Sequence, residues 1–155
     1  MNRQGPWRGR WATAEAMAWL ILARLLIARV AFGRWRRWLG TPVVPPTGDP
    51  QLHPDANLAP RRLARAVERA AKRLPGESRC LARAMALHWM LRRRAMGGVL
   101  HIGVLPGSDR GGLDDLHAWV TRLGEILIGA SDQPHSALFA TANPADRSHS
   151  KKPNL

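Results

Sequence analysis

The residues 78–91, SRCLARAMALHWML, hold the only cysteine among 155 residues, two positions after a serine and at the start of a helical pattern. Ser78 can cap a helix there, which leaves Cys80 in the first turn. Amide N–H groups in a first turn lack helical partners and, with the helix dipole, create positive potential. Such potential favours a thiolate over a thiol, and the thiolate is the nucleophilic form. The same amides can hold the oxyanion that forms when a carbonyl is attacked. The competing reading is a buried cysteine serving as a small hydrophobe.

A nucleophilic sulfur needs a base. His117 lies downstream in DLHAWV, on an expected strand, although the chain has six histidines and the pairing alone is a weak signal. A carboxylate could orient the imidazole. If Leu123-Gly124 is a two-residue turn, Arg122 pairs with Glu125 and residue 130 falls opposite His117. Asp132 is then a diagonal neighbour on the same face, within reach. Asp115, on the histidine's own strand, is the second choice, and a dyad without a carboxylate stays open. His88 reads as a core histidine, His101 as a neighbour one strand over, and Trp119 as core or cleft lining. No histidine has a second ligand at helical spacing, so no metal site is expected.

These side chains require helices followed by a sheet. Residues 13–39 carry a helical apolar pattern, with Gly33 expected to divide it. Residues 41–50, TPVVPPTGDP, read as a linker, because proline forbids a helix interior. A second helix is expected over 60–74 and a third over 79–94, ended by Gly97-Gly98. The period then changes. VLHIGVL (99–105), LHAWVTR (116–122) and EILIG (125–129) read as strands. The layout is α+β, helices first and a small antiparallel sheet after them. The division is a helical segment and linker over 1–58, a core over 59–140, and an unpacked polar tail over 141–155.

Composition bounds the alternatives. One cysteine excludes an internal disulfide and suits a reducing, cytoplasmic setting. Twenty-four Lys+Arg against 11 Asp+Glu give a net charge of +13, compatible with nucleic acid, an acidic membrane face or an acidic peptide. RWRRWLG (34–40) could stack on bases, but tryptophan packing inward beneath snorkelling arginine is the plainer account. AMAWLILA (16–23) resembles a signal core, yet Arg24 and Arg29 interrupt it and no small-residue cleavage site follows.

The series SRCLARAMALHWMLRRR, LHIGV, LHAWV and ILIG resembles the lasso peptide biosynthesis proteins of the B type, in their leader-peptidase half, over about residues 19–139. These are transglutaminase-like cysteine proteases, and papain-like enzymes share the arrangement of a cysteine before a helix and a histidine on a facing strand. The resemblance implies Cys80 as nucleophile and His117 as base, with no cofactor. Many relatives carry an acidic residue near the place of Gly129 and a small residue where this chain has Leu116. The implied reaction cuts a ribosomal precursor between leader and core and frees the core's α-amine. An ATP-dependent cyclase would then join that amine to an acidic side chain. The implied partners are the precursor peptide, a separate leader-recognition protein and that cyclase; nucleic acid is not among them, and peripheral membrane contact stays open. The alternatives are a non-cutting scaffold of the same assembly and a basic nucleic-acid-binding module.

Overall fold

The computed structural model describes residues 6–35, 39–43, 58–76, 80–104, 116–131 and 136–142. Helix α1 (Pro6–Arg29) begins earlier than the apolar pattern foretold, and proline suits its first turn. A short α2 (Phe32–Trp35) follows and contains Gly33, so the break falls at Val30-Ala31 and not at that glycine. Helix α3 (Leu58–Arg73) buries the expected stripe of Leu63, Ala66, Val67 and Ala70. Helix α4 (Cys80–Arg93) is buried without interruption from Ala84 to Leu91, because α1 and α3 flank it and the sheet lies beneath. Its end is a Schellman turn: Met96 N–H donates to Leu91 O and Ala95 N–H to Arg92 O, both at 3.0 Å. Ala95 takes the left-handed position, with φ 51°, ahead of the two glycines expected to stop the helix.

Among the described residues, five antiparallel strands form one sheet in the order β1-β5-β2-β3-β4. The three expected strands are β2 (Val99–Val104), β3 (Leu116–Arg122) and β4 (Glu125–Ile128). Two more had no clear signal. β1 (Thr41–Val43) lies in the stretch expected to be a linker, at the sheet edge, where a proline such as Pro42 is tolerated. β5 (Ser136–Ala142) lies between β1 and β2, although SALFATA is poor in β-branched residues. Its Thr141 and Ala142 are buried, not part of a loose tail.

The helices cover one face of the sheet. Leu100, Ile102, Ala118, Val120 and Ile128 join Leu20, Leu63, Val67, Met85, Leu87 and Leu91 in a single core. Polar ties fix the layers. Arg24 donates to Pro75 O at 2.7 Å and Gly76 O at 2.8 Å, closing the end of α3. Arg61 forks onto Glu125, joining α3 to β4 at 2.8 and 3.0 Å. Glu15 meets Arg94 at 2.5 Å, joining α1 to the end of α4. His88 Nε2 donates to Leu39 O inside the core.

Candidate active site

Cys80 is the first residue of α4 and is half-buried against the core. A methyl group on Gly98 would lie 3.0 Å from Leu91 Cδ1 and 3.6 Å from Thr121 O, so the end of α4 sits over the end of β3. From Leu91 back to Cys80 the helix runs about 16 Å, at 1.5 Å per residue. From Thr121 back to His117 the strand runs about 14 Å. A five-residue connection, 94–98, makes α4 antiparallel to β2, and β2 is antiparallel to β3. The start of α4 and the start of β3 therefore occupy the same end of the fold.

On β3 the side chains alternate. Ala118 and Val120 enter the core beneath the helices, whereas His117, Trp119 and Thr121 point to the other face. There the ring of Trp119 stacks on His117 at 5.8 Å and on His101 at 5.1 Å. Its Cη2 lies over Gly103, the register partner of His117, where an added methyl would be 3.0 Å away. The imidazole of His117 is thus wedged against an indole that is itself held by β2.

His117 Nε2 lies 2.7 Å from Gly129 O. A carbonyl oxygen only accepts, so Nε2 carries the proton in the neutral ring and Nδ1 carries the lone pair. This is the task expected of a carboxylate, done by main chain. The turn between β3 and β4 is the expected one: Leu123 and Gly124 have φ 48° and 79°, and Arg122 pairs with Glu125. A β-bulge then shifts the register, with Thr121 opposite Ile126 but Val120 opposite Ile128. The uninterrupted count that singled out Asp132 therefore fails, and Gly129 comes into line beside Trp119. Gly129 has φ 80°, and a Cβ there would lie 2.4 Å from Ala118 O and 2.9 Å from Trp119 Cα. An acidic side chain cannot occupy this position in this backbone. Asp132, Asp115 and Ser78 lie outside the described residues.

His88 and His101, the other histidines among the described residues, are structural. His101 is buried, its Nε2 is 2.8 Å from Thr121 Oγ1, and desolvation lowers its pKa to about 4. His88 is fully buried and is held at about 4 by desolvation, against the opposing pull of its bond to Leu39 O. Both stay neutral at pH 7. Among the described residues, no three His, Cys, Asp or Glu side chains gather as a metal site would need. The residue that sequence reasoning missed is Gly129. Its signal was a glycine closing a strand, which marks a close approach of another backbone.

A family model described as the transglutaminase-like superfamily matches residues 19–141. The chain belongs to this superfamily. The layout of helices followed by a small antiparallel sheet, expected from the sequence as α+β, agrees with that membership. No curated protein and no solved structure matches the chain. The superfamily match begins within α1, at Trp19, so the first turns of that helix lie outside it.

Proposed function

We propose that this transglutaminase-like protein is a cysteine peptidase that removes the leader from a ribosomal lasso peptide precursor, with Cys80 as nucleophile and His117 as base. The observation that carries the reading is the hydrogen bond from His117 Nε2 to Gly129 O. It leaves Nδ1 as the proton acceptor, on a ring at the same end of the fold as a cysteine that begins a helix. The imidazole shares the face of Trp119, so this reading requires the sulfur to reach it around the start of β3.

In this mechanism Cys80 Sγ attacks the carbonyl carbon of the scissile bond as its proton passes to His117 Nδ1. The Cys80 N–H, at the helix start, donates to the oxyanion. As the C–N bond breaks, the imidazolium protonates the departing α-amine of the core. The leader remains as a thioester on sulfur. Water, losing its proton to the same nitrogen, attacks that thioester, and the leader leaves as a carboxylic acid while the thiol is restored. The Gly129 carbonyl holds the ring through every step, and the indole of Trp119 keeps it from swinging. An ATP-dependent cyclase would consume the freed amine, and a separate recognition protein would present the leader.

Purified protein mixed with precursor and recognition partner tests this reading. Cys80→Ala and His117→Ala each abolish cleavage while the fold, followed by circular dichroism, persists. Iodoacetamide alkylation of Cys80 tests the pairing itself: His117→Ala slows it about tenfold or more near neutral pH. Equal alkylation rates would end the protease reading. A non-cutting scaffold of the same assembly is the second reading, favoured by the glycine where many relatives carry an acid. It predicts intact precursor with wild-type protein that still binds the cyclase.

A further inference from the structure

The outward side of α1 is the least explained surface of the fold. Trp11, Ile21, Leu22 and Leu25 are 72%, 46%, 39% and 51% exposed. With Ala14 and Ala18 they fall within about 100° of arc on the helix, at 3.6 residues per turn. The opposite side is already committed, since Ala16, Leu20, Ala23 and Leu26 are core. A helix apolar on both sides has a second partner to find.

The surface is also concave. Two adjoining hollows, each about 560 Å³, run along α1 and the end of α4. Ala14 and Ala18 keep the first shallow-walled and open to a close approach, between Trp11 and Leu22. Trp19 and Trp89 form the floor, their rings 5.3 Å apart at 47°. Arg92 and Arg93 stand at the rim, with Arg94 beside them. Among the described residues, Glu15 meets this cluster, touching Arg94 at 2.5 Å and Arg93 at 3.4 Å. Arg93 and Arg94 share that one carboxylate, two guanidinium groups to one acid, which leaves this part of the rim positive.

We infer that this groove docks an acidic amphipathic helix of a partner protein. From Trp11 to Leu22 it measures about 16 Å, room for about three helical turns. Apolar side chains of the visitor would enter between Trp11 and Leu22, and its carboxylates would face Arg92 and Arg93. A second copy of this chain is the poorer occupant, because it would bring two positive rims together in a protein of net charge +13. A lipid surface is the other rival. Gly9–Arg29 is long and apolar enough to cross a membrane by length and composition. However, its inner side is locked into the core, so it is not free to leave the fold and span a bilayer. Trp11, Ala14 and Ala18 precede the residues matched to the superfamily, so one wall of the groove is additional to that domain. The inference stands apart from the catalytic reading, and neither needs the other.

The test uses the full chain and a fluorescein-labelled synthetic helix of about five turns, leucine on one side and glutamate on the other, with a lysine counterpart. Fluorescence anisotropy should show the glutamate peptide bound at least about tenfold tighter than the lysine peptide. Ala18→Glu and Leu22→Glu should each weaken the glutamate peptide about tenfold or more, with unchanged melting temperature. Arg93→Glu should narrow or reverse the preference. Arg65→Glu, exposed on α3, should leave binding within about twofold, which separates a groove from general attraction to a basic protein. Equal binding of the two peptides, no binding, or insensitivity to Ala18→Glu would overturn the inference. So would a wild-type protein that ignores both peptides but sediments with phosphatidylglycerol vesicles and loses this on Leu22→Glu.

Discussion

Gly129→Ala separates backbone strain from crowding, because the fold supplies its own control. Gly76 has φ 76° with nothing within 4 Å of an added Cβ, whereas Gly129 has φ 80° with Ala118 O at 2.4 Å, Trp119 Cα at 2.9 Å and Trp119 Cβ at 3.0 Å. Left-handed backbone disfavours an L side chain by about 1–2 kcal/mol. Loss of freedom in the unfolded chain returns about 0.4–1 kcal/mol of that. Gly76→Ala should therefore destabilise by about 1 kcal/mol. Gly129→Ala adds overpacking against main-chain atoms, which cannot rotate away, at about 1–3 kcal/mol. Its total should be about 2–4 kcal/mol, read from urea midpoints at constant m-value. Relief of the crowding must move the 129 carbonyl away from β3, and the His117 Nε2–H loses its acceptor. Proton–nitrogen NMR should then show a mixture of imidazole tautomers where the native protein shows one. Cleavage of precursor should fall about a hundredfold in kcat/KM through misplacement of the base. Equal stability losses for the two alanine variants would refute the packing argument, and an unchanged tautomer would refute the orienting role.

Other outcomes follow from backbone and burial. Leu123 has φ 48° beside Gly124 at 79°, the type I′ pattern that favours Asn-Gly, so Leu123→Asn should stabilise the fold by about 1 kcal/mol, measured as a rise in Tm. Ala95→Gly, at φ 51° in the Schellman turn, should stabilise by a smaller amount, about 0.5 kcal/mol after the entropy of glycine is counted. His88 and His101 titrate near 4 when folded and near 6.5 when unfolded, so between those values the unfolded chain binds protons that the folded one does not. Stability is therefore fully present above about pH 6.5 and falls as pH drops toward 4, by about 2 kcal/mol per histidine between pH 7 and 5. Urea titrations at the two pH values check this, and His88→Gln should remove about half of the drop.

The parts of the fold that were legible in the sequence are those whose signal is local and periodic. α3 and α4 carry apolar stripes with turn residues at their ends, and β2 and β3 carry β-branched runs. The Arg122–Glu125 hairpin follows from a two-residue gap before glycine. What escaped was decided by tertiary context. β5 is Ala- and Ser-rich, and its burial comes from the strands on either side of it. β1 contains a proline that only an edge position tolerates. The register error had a single cause: a bulge at Val120/Thr121 inserts one residue into β4, and a count by twos cannot see it. That one residue changes which atom faces the imidazole.

The consequence reaches Asp132. A carboxylate that orients a catalytic histidine does so by accepting the N–H remote from the nucleophile. On His117 that group is Nε2–H, and Gly129 O stands 2.7 Å from it. An N–H that already has one acceptor gains less from a second. A carbonyl fixes the ring and its tautomer as a carboxylate would. It lacks the full negative charge, however, and charge-assisted hydrogen bonds are about twice as strong as neutral ones. The cysteine–histidine pair proposed here should work as a dyad on a main-chain support, slower than a full triad but not inert. Asp132→Asn and Asp115→Asn should each leave kcat/KM for precursor cleavage within about threefold of wild type, in contrast to the complete loss on His117→Ala. Should Asp132→Asn instead lower kcat about a hundredfold and shift the acidic limb of the pH–rate profile, a carboxylate displaces the Gly129 carbonyl during turnover, and the support assigned to the backbone belongs to Asp132.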